Sequence, residues 1–244
     1  MANKYICFSL YGSTPLYTMN MIRNLLLGPQ IYPGYKFKIY HDNTVPDDII
    51  ACIKSFDNVD CCINVCADNG SLYVGKAAMS SAGHNSLGMF WRFYPAFQSN
   101  DIILVRDCDS VINERESAAV AEWLASDKDF HIMRDNKYHG TRILGGMWGA
   151  RNGILNNKQH LIDNHIDCIY YNKGQDQHFL ANVIYPLIKD NAMIHDAYHL
   201  YRDETVRPFT VSSTISPFIG APLVNYTEAT AYFNKFMADK PVNN

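Results

Sequence analysis

Short apolar runs recur along this chain, and each is followed by a stretch carrying helix signals. Tyr5 to Leu10, Tyr35 to Tyr40, Val59 to Val65, Asp101 to Arg106, Phe130 to Met133 and Ala192 to His195 read as strands. The first is apolar throughout, as a strand covered on both faces must be. Helices are predicted from about Thr14 to Leu27, from Pro46 onwards, over Leu87 to Phe97, over Asn113 to Ser126, near Lys158 to Asn164 and over Gln175 to Ile188. Gly28-Pro29 is expected to stop the first helix, and Pro46 with Asp47 and Asp48 suits the start of the second. Gly70 to Asn85, rich in Gly, Ser and Ala, reads as a loop, and the tail from about residue 210 as irregular. Strands alternating with helices imply an α/β fold, a mostly parallel sheet with helices on both faces. No repeat, low-complexity segment or Pro/Ser linker interrupts the pattern, so one domain over 1–244 is expected.

Composition narrows the function. Hydrophobic residues make up 48% and charged residues 18% of the 244 residues, which is globular rather than disordered. A net charge of −3 without a basic run suggests neither a nucleic-acid nor an anionic-membrane partner. Seven cysteines, mostly inside apolar strings, suggest thiols in a reducing, cytoplasmic setting. Cys62 and Cys66 lack a second pair or a nearby histidine, so zinc is not indicated. The apolar segment at the start is too short for a signal peptide, and no run approaches a membrane span.

One stretch stands out. In ILVRDCDSVI, residues 103 to 112, the apolar strand runs into Asp107 and Asp109. Ligands of open α/β sheets bind outside the carboxyl ends of the strands. Residues two apart on extended chain point the same way, so the two carboxylates converge. Two hard oxygen donors suit Mn²⁺ or Mg²⁺, completed by water and a phosphate. The second Asp-X-Asp, Asp127-Lys128-Asp129, precedes its strand, where ligands are not expected. Asn113 followed by Glu116 resembles a capping box, so the next helix does not need the acidic pair.

From these residues the chain resembles the GT-A-fold glycosyltransferases, whose metal motif is an Asp-X-Asp after a hydrophobic strand. CFSLYG resembles their nucleotide-holding first strand and loop, and FWRFYPA the helix whose Arg reaches the donor phosphates. HIMRD, LGGMWG and GQDQHFL follow in the order of the sugar- and acceptor-side motifs, and IHDAYH resembles the C-terminal histidine segment. Over roughly residues 3 to 210, the chain is similar to compact GT-A transferases of large algal DNA viruses and some bacteria.

That resemblance implies a Rossmann-like GT-A domain that moves a sugar from a nucleoside diphosphate, by family habit a UDP-sugar, to a hydroxyl of a glycan or glycoprotein. It leans towards retention of stereochemistry. Asp107, Asp109 and His195 would hold the metal, with His199 as rival to His195. Arg92 would contact the diphosphate, and Tyr11, with the backbone around Phe8 and Ser9, the nucleobase. Arg134 and Asp135 would meet sugar hydroxyls, Gly145 and Gly146 would let the backbone approach the sugar, and Met147 and Trp148 would wall the acceptor pocket. Asp176 is the candidate base, beside Gln177.

Two other readings use the same residues. In a haloacid-dehalogenase-type phosphatase Asp107 would be the nucleophile, but no later Gly-Asp-X-X-X-Asp follows. A non-catalytic nucleotide-sugar-binding module would keep the fold without turnover. An EF-hand loop counted from Asp107 fails, with Ile112 at the glycine position and Ala118 at the glutamate position.

Overall fold

The computed structural model describes residues 2–67, 71–79, 87–168, 173–199, 201–212 and 218–239. The chain opens with β1 (Lys4–Leu10), α1 (Pro15–Ile31), β2 (Lys36–His41), α2 (Asp47–Lys54) and β3 (Val59–Asn64). Three short helices follow, α3 (Ser71–Val74), α4 (Gly88–Trp91) and α5 (Tyr94–Gln98), then β4 (Ile102–Arg106), α6 (Glu114–Leu124), β5 (Phe130–Arg134) and β6 (Met147–Ala150). Next come α7 (Gln159–Cys168), α8 (Gln175–Phe179), α9 (Tyr185–Ile188), β7 (Ala192–Asp196), β8 (Val206–Arg207) and α10 (Thr227–Ala238). The strands form one sheet in the order β3-β2-β1-β4-β6-β5-β7-β8. Every pairing is parallel except those of β6, which runs antiparallel between β4 and β5. This is the expected α/β architecture, and among the described residues no helix is long and apolar enough to cross a membrane.

The pleat sorts side chains into two cores. Ile6, Phe8, Phe37, Ile39, Leu104 and Met193 face the back, under α1, α2, α6 and α10. Cys7, Ile103, Val105, Phe130, Ile132 and Ile194 face the front, under α4, α5, α7 and α8. Because alternate residues go to opposite faces and both faces are covered, burial is continuous from Ile6 to Leu10 in β1 and throughout β5, where the polar His131 and Arg134 are buried with the rest.

Several boundaries differ from the sequence reading. Helix α1 does not stop at Gly28-Pro29 but continues to Ile31. Pro29 has no N–H for the carbonyl of Leu25, and the side-chain amide of Asn58 donates to that carbonyl instead, at 2.9 Å. Gly28 makes the approach possible, since a Cβ there would lie 2.9 Å from the same amide nitrogen. The Leu87–Phe97 helix is broken into α4 and α5, because Pro95 cannot donate to the carbonyl of Trp91. The Gly70–Asn85 stretch contains α3 and a 3₁₀ turn over Gly75–Met79, while 70 and 80–85 lie outside the described residues. Strand β6 stands where no strand was expected. The tail is not irregular throughout. Helix α10 seats Ala229 and Tyr232 on the back of the molecule, with Tyr232 stacked 4.8 Å from Phe56.

Arg106, which ends β4 just before the acidic pair, points to the back face. Its Nε donates to Glu116 of α6 at 2.6 Å, its Nη1 donates to the carbonyl of Trp148 at 2.9 Å, and the Tyr32 hydroxyl donates to the same Glu116 oxygen at 2.6 Å. Asn113 caps α6 by accepting the amide of Glu116 at 2.9 Å, as the first half of the expected capping box requires. The glutamate side chain is taken by Arg106. Removing one partner of a buried pair leaves an uncompensated charge and typically costs about 3–5 kcal/mol, whereas replacing both by apolar residues is often close to neutral. Arg106→Met is therefore expected to destabilise by about that amount in urea denaturation, and Arg106→Met with Glu116→Leu to recover more than half of the loss. Equal instability of the single and double variants would refute this account.

Candidate functional site

The same pleat carries the acidic pair forward. Arg106 faces the back, Asp107 faces front, and buried Cys108 returns to the back, where its Sγ lies 3.7 Å from Met21 Sδ and 3.1 Å from the carbonyl of Ser9. The alternation persists beyond the end of β4, so Asp107 and Asp109 line one cleft at the carboxyl ends of β1 and β4. The cleft encloses about 340 Å³ and is lined also by Ser9, Tyr11, Tyr17, Met89, Arg92, Gly145, Lys173, Gly174, Asp176 and Gln177.

Arg92 organises it. At the break between α4 and α5, its backbone N–H donates to Ser9 Oγ at 3.1 Å, and its Nη1 donates to the carbonyl of Arg106 at 3.1 Å. The guanidinium is ion-paired with Asp107 through Nη1 and with Asp176 through Nη2, the latter at 3.4 Å. Asp176 reaches this position because Gly174 adopts a left-handed conformation (φ 89°) just before α8. Asp176 is only 3% exposed, and its Oδ1 has no hydrogen-bond partner among the described residues. Burial raises its pKa above the ordinary carboxylate value, with the Arg92 charge opposing. Burial also raises that of Asp109, and the neighbouring Asp107 carboxylate adds to it. Tyr11 stands edge-on to Trp91, 5.8 Å between ring centres, and burial raises its hydroxyl pKa.

Gly145 and Gly146 do permit a close approach, but the groups that approach are the chain's own. A Cβ on Gly145 would overlap the carboxylate of Asp176, and one on Gly146 that of Asp107. These two glycines let β6 enter the sheet between the acids.

Other expected site residues lie elsewhere. Phe8 turns its ring to the back core, stacked 5.8 Å from Phe37, and it is the next residue, Ser9, that lines the cleft. Met147 and Trp148 do not line this cleft: they belong to β6, with Met147 buried against Ile219 and Trp148 stacked 5.3 Å from Phe130. Arg134 and Asp135 are not free for sugar hydroxyls. Arg134 is 0% exposed and ion-paired with Glu204 and, at 2.6 Å, with Asp196, its register partner on β7. Asp135, facing the back, accepts two hydrogen bonds from Arg115 at 2.7 Å and one from the Ile219 amide at 3.0 Å.

His195 is also held away from Asp107. It sits on the back face, fully buried, with Nδ1 2.9 Å from His131 Nε2 and Nε2 3.4 Å from Glu122. His199, on the loop after β7, has its Nε2 3.3 Å from the carbonyl of Asn136 and does not line the cleft. Among the described residues no group of three or more His, Cys, Asp or Glu is placed to hold a metal ion. Asp107 and Asp109 nevertheless suit a divalent cation: they are two hard donors on one wall, and repulsion between them is what a cation relieves. Across the cleft, three carboxylates (Asp107, Asp109, Asp176) face two cationic side chains, Arg92 and Lys173. Lys173 and Tyr17 were not singled out from sequence, since neither lies in a run with distinctive spacing.

No family model matches the chain, nor does any curated protein sequence. Among solved structures, the chain is similar to the apo-form glycosyltransferase GlyE of Streptococcus pneumoniae TIGR4, with 14% identity, 80% of this chain and 45% of that one covered, and a TM-score of 0.49. It thus spans less than half the length of that protein. It is similar also to a glycosyltransferase involved in the glycosylation of the major capsid of PBCV-1, with 12% identity, 81% of this chain and 84% of that one covered, and a TM-score of 0.44.

The histidine pair gives a pH dependence with a definite sign. Burial lowers the pKa of both His131 and His195, and at His131 the neighbouring His195 lowers it further. Both are neutral in the fold and take up protons on unfolding. Their contribution is complete above the unfolded value of about 6.5 and is lost as pH falls below it, by up to about 1.4 kcal/mol per pH unit for His131, which is lowered well below that value. His131→Gln is expected to reduce the slope of unfolding free energy between pH 6.5 and 5 by roughly the one-proton amount, measured by chemical denaturation. An unchanged slope would contradict neutral burial of His131.

Proposed function

We propose that this chain is a metal-dependent glycosyltransferase of the GT-A type, one domain that transfers a sugar from a nucleoside-diphosphate sugar, a UDP-sugar foremost, to a hydroxyl of a glycan or glycoprotein. The observation that carries the reading is Arg92, buried between Asp107 and Asp176 in the cleft that also receives Asp109. A guanidinium at the carboxyl edge of the sheet, next to two converging carboxylates, is suited to a diphosphate.

Asp107 and Asp109 would hold Mn²⁺ or Mg²⁺, and a bound divalent cation would supply Lewis-acid stabilisation of the diphosphate leaving group. With three carboxylates against two cationic groups, the cleft on its own has a charge balance unfavourable to a diphosphate. Arg92 neutralises charge developing on the departing diphosphate. Ser9 holds the Arg92 backbone, while Tyr11 and Tyr17 offer ring faces to the nucleoside. The unpartnered Oδ1 of Asp176 is available to a hydroxyl of the transferred sugar or of the acceptor. In a retaining reaction that contact positions the sugar, and in an inverting one Asp176 takes the acceptor proton. We favour retention, and a cytoplasmic location in keeping with the free thiols of Cys7, Cys61, Cys62, Cys66 and Cys108.

The test is thermal melting with Mn²⁺ and a panel of nucleoside diphosphates and nucleotide sugars. A ligand at a hundredfold its Kd stabilises by about 2.7 kcal/mol, which for a chain of this size is roughly 5–10 °C in Tm. UDP or a UDP-sugar is expected to give such a shift only with Mn²⁺, and Asp109→Asn to abolish it. No response to any nucleotide would end the transferase reading.

A further inference from the structure

Helix α1 presents two fully buried asparagines to the segment that carries the acidic pair. Asn20 Nδ2 donates to the carbonyl of Asp109 at 3.1 Å and to that of Leu223 at 2.9 Å. One turn further on, Asn24 Nδ2 donates to the carbonyl of Ser110 at 2.8 Å, and its Oδ1 accepts the amide of Ile112 at 3.0 Å. Ser110 Oγ in turn donates to the carbonyl of Gly220 at 3.2 Å, and Ser110 bridges to Pro222. Spaced four apart, the asparagines share one face of the helix. That face is otherwise apolar: Met21 and Leu25 bury into the back core beside them.

A polar side chain inside an apolar core is costly unless its hydrogen bonds are made. Here three of the four bonds go to backbone of the stretch that follows β4, after Arg106, where sheet pairing has ended, and the fourth goes to Leu223. The sheet sets Asp107 directly, whereas Asp109 lies three residues past the last strand residue and depends on something else for its position. We infer that Asn20 and Asn24 are positioning residues for Asp109: from α1 they hold the backbone that aims its carboxylate into the cleft. Through Leu223, Asn20 ties the C-terminal segment to the same point. The inference rests on the cation-binding reading of Asp107 and Asp109, and goes beyond it by assigning that geometry to two buried asparagines of α1 that do not themselves line the cleft.

The experiment records amide hydrogen exchange across 107–113 on wild type, Asn24→Ala and Asn20→Ser, with β5 (130–134) as the internal reference, and titrates Mn²⁺ into the same samples by its EPR signal, with and without UDP. Asn20→Ser keeps a donor, so it guards against a variant that simply fails to fold. Loss of one bond to a buried backbone group corresponds to roughly tenfold. Exchange across 109–112 is expected to rise by about that factor in Asn24→Ala, with β5 unchanged and Mn²⁺ binding weakened by roughly tenfold. Unchanged exchange across 109–112 in both variants would overturn the inference, as would a loosened segment that binds Mn²⁺ undiminished. Wild-type protein that binds no Mn²⁺ at all would instead sink the cation-binding reading, and the exchange data would then decide alone whether the asparagines hold the segment.

Discussion

Arg92 is the interaction on which the cleft depends. Its guanidinium joins three separate pieces of chain: the break between α4 and α5, the end of β4 through Asp107 and the carbonyl of Arg106, and α8 through Asp176. Without that cation, Asp176 would be an almost fully buried carboxylate with no compensating charge, and its pKa, already raised by burial, would rise further. Pro95 has a part in this. By ending α4 at Trp91 it leaves Arg92 at a helix terminus, from which the side chain reaches across the strand ends rather than along a helix surface.

A second constraint is the parity of β4. Arg106 and Asp107 are neighbours in sequence, yet one is the centre of a back-face network with Glu116 and Tyr32 and the other faces the cleft. A one-residue shift of that strand would exchange them, placing a guanidinium in the cleft and a carboxylate against Glu116. Both the ion pair and the acidic motif therefore oppose a slip of register. The asparagines of α1 extend the same register past the end of the sheet, so that Asp109 keeps the parity begun by Asp107.

Much of this was legible from the chain alone, and the limits have a physical pattern. Apolar runs identified β1 to β5 and β7, because a two-sided core demands them, and the acidic pair was placed at the carboxyl end by the direction of its strand. What failed was the assignment of faces. His195 and Arg134 stand near the carboxyl ends of β7 and β5, as expected, but parity sends His195 to the back against His131 and commits Arg134 to Asp196 across the strand pair. Sequence spacing does not say which strand lies beside which, so it cannot show that a suitable side chain is already engaged. Strand β6 escaped notice because Gly149 interrupts a four-residue element, and that glycine is there to admit Leu104 and Trp123. Helix α10 did carry a signal, Ala229, Tyr232, Phe233 and Phe236 at helical spacing, which a tail without neighbours in the alternation made easy to pass over.

The cleft also distinguishes two kinds of buried charge in one fold. Arg134, with Asp196 and Glu204, and Arg115, with Asp135, are enclosed on all sides and have carboxylate partners to match. Such groups hold loops in place and are poorly suited to exchange partners, because any exchange would expose a charge to apolar surroundings. Arg92 differs. Its stronger partner, Asp107, is 40% exposed on the cleft side, its other partner is 3.4 Å away, and its Nε has no partner among the described residues. A guanidinium so placed is restrained but incompletely satisfied, and it borders open space rather than core. On the proposed reading, an arriving diphosphate completes the hydrogen bonds of Arg92 while a cation takes up Asp107, so both exchanges happen where water can leave. This contrast between Arg92, bordering open space, and the enclosed Arg134 and Arg115, more than the spacing of the acidic pair, separates the working edge of the sheet from its framework.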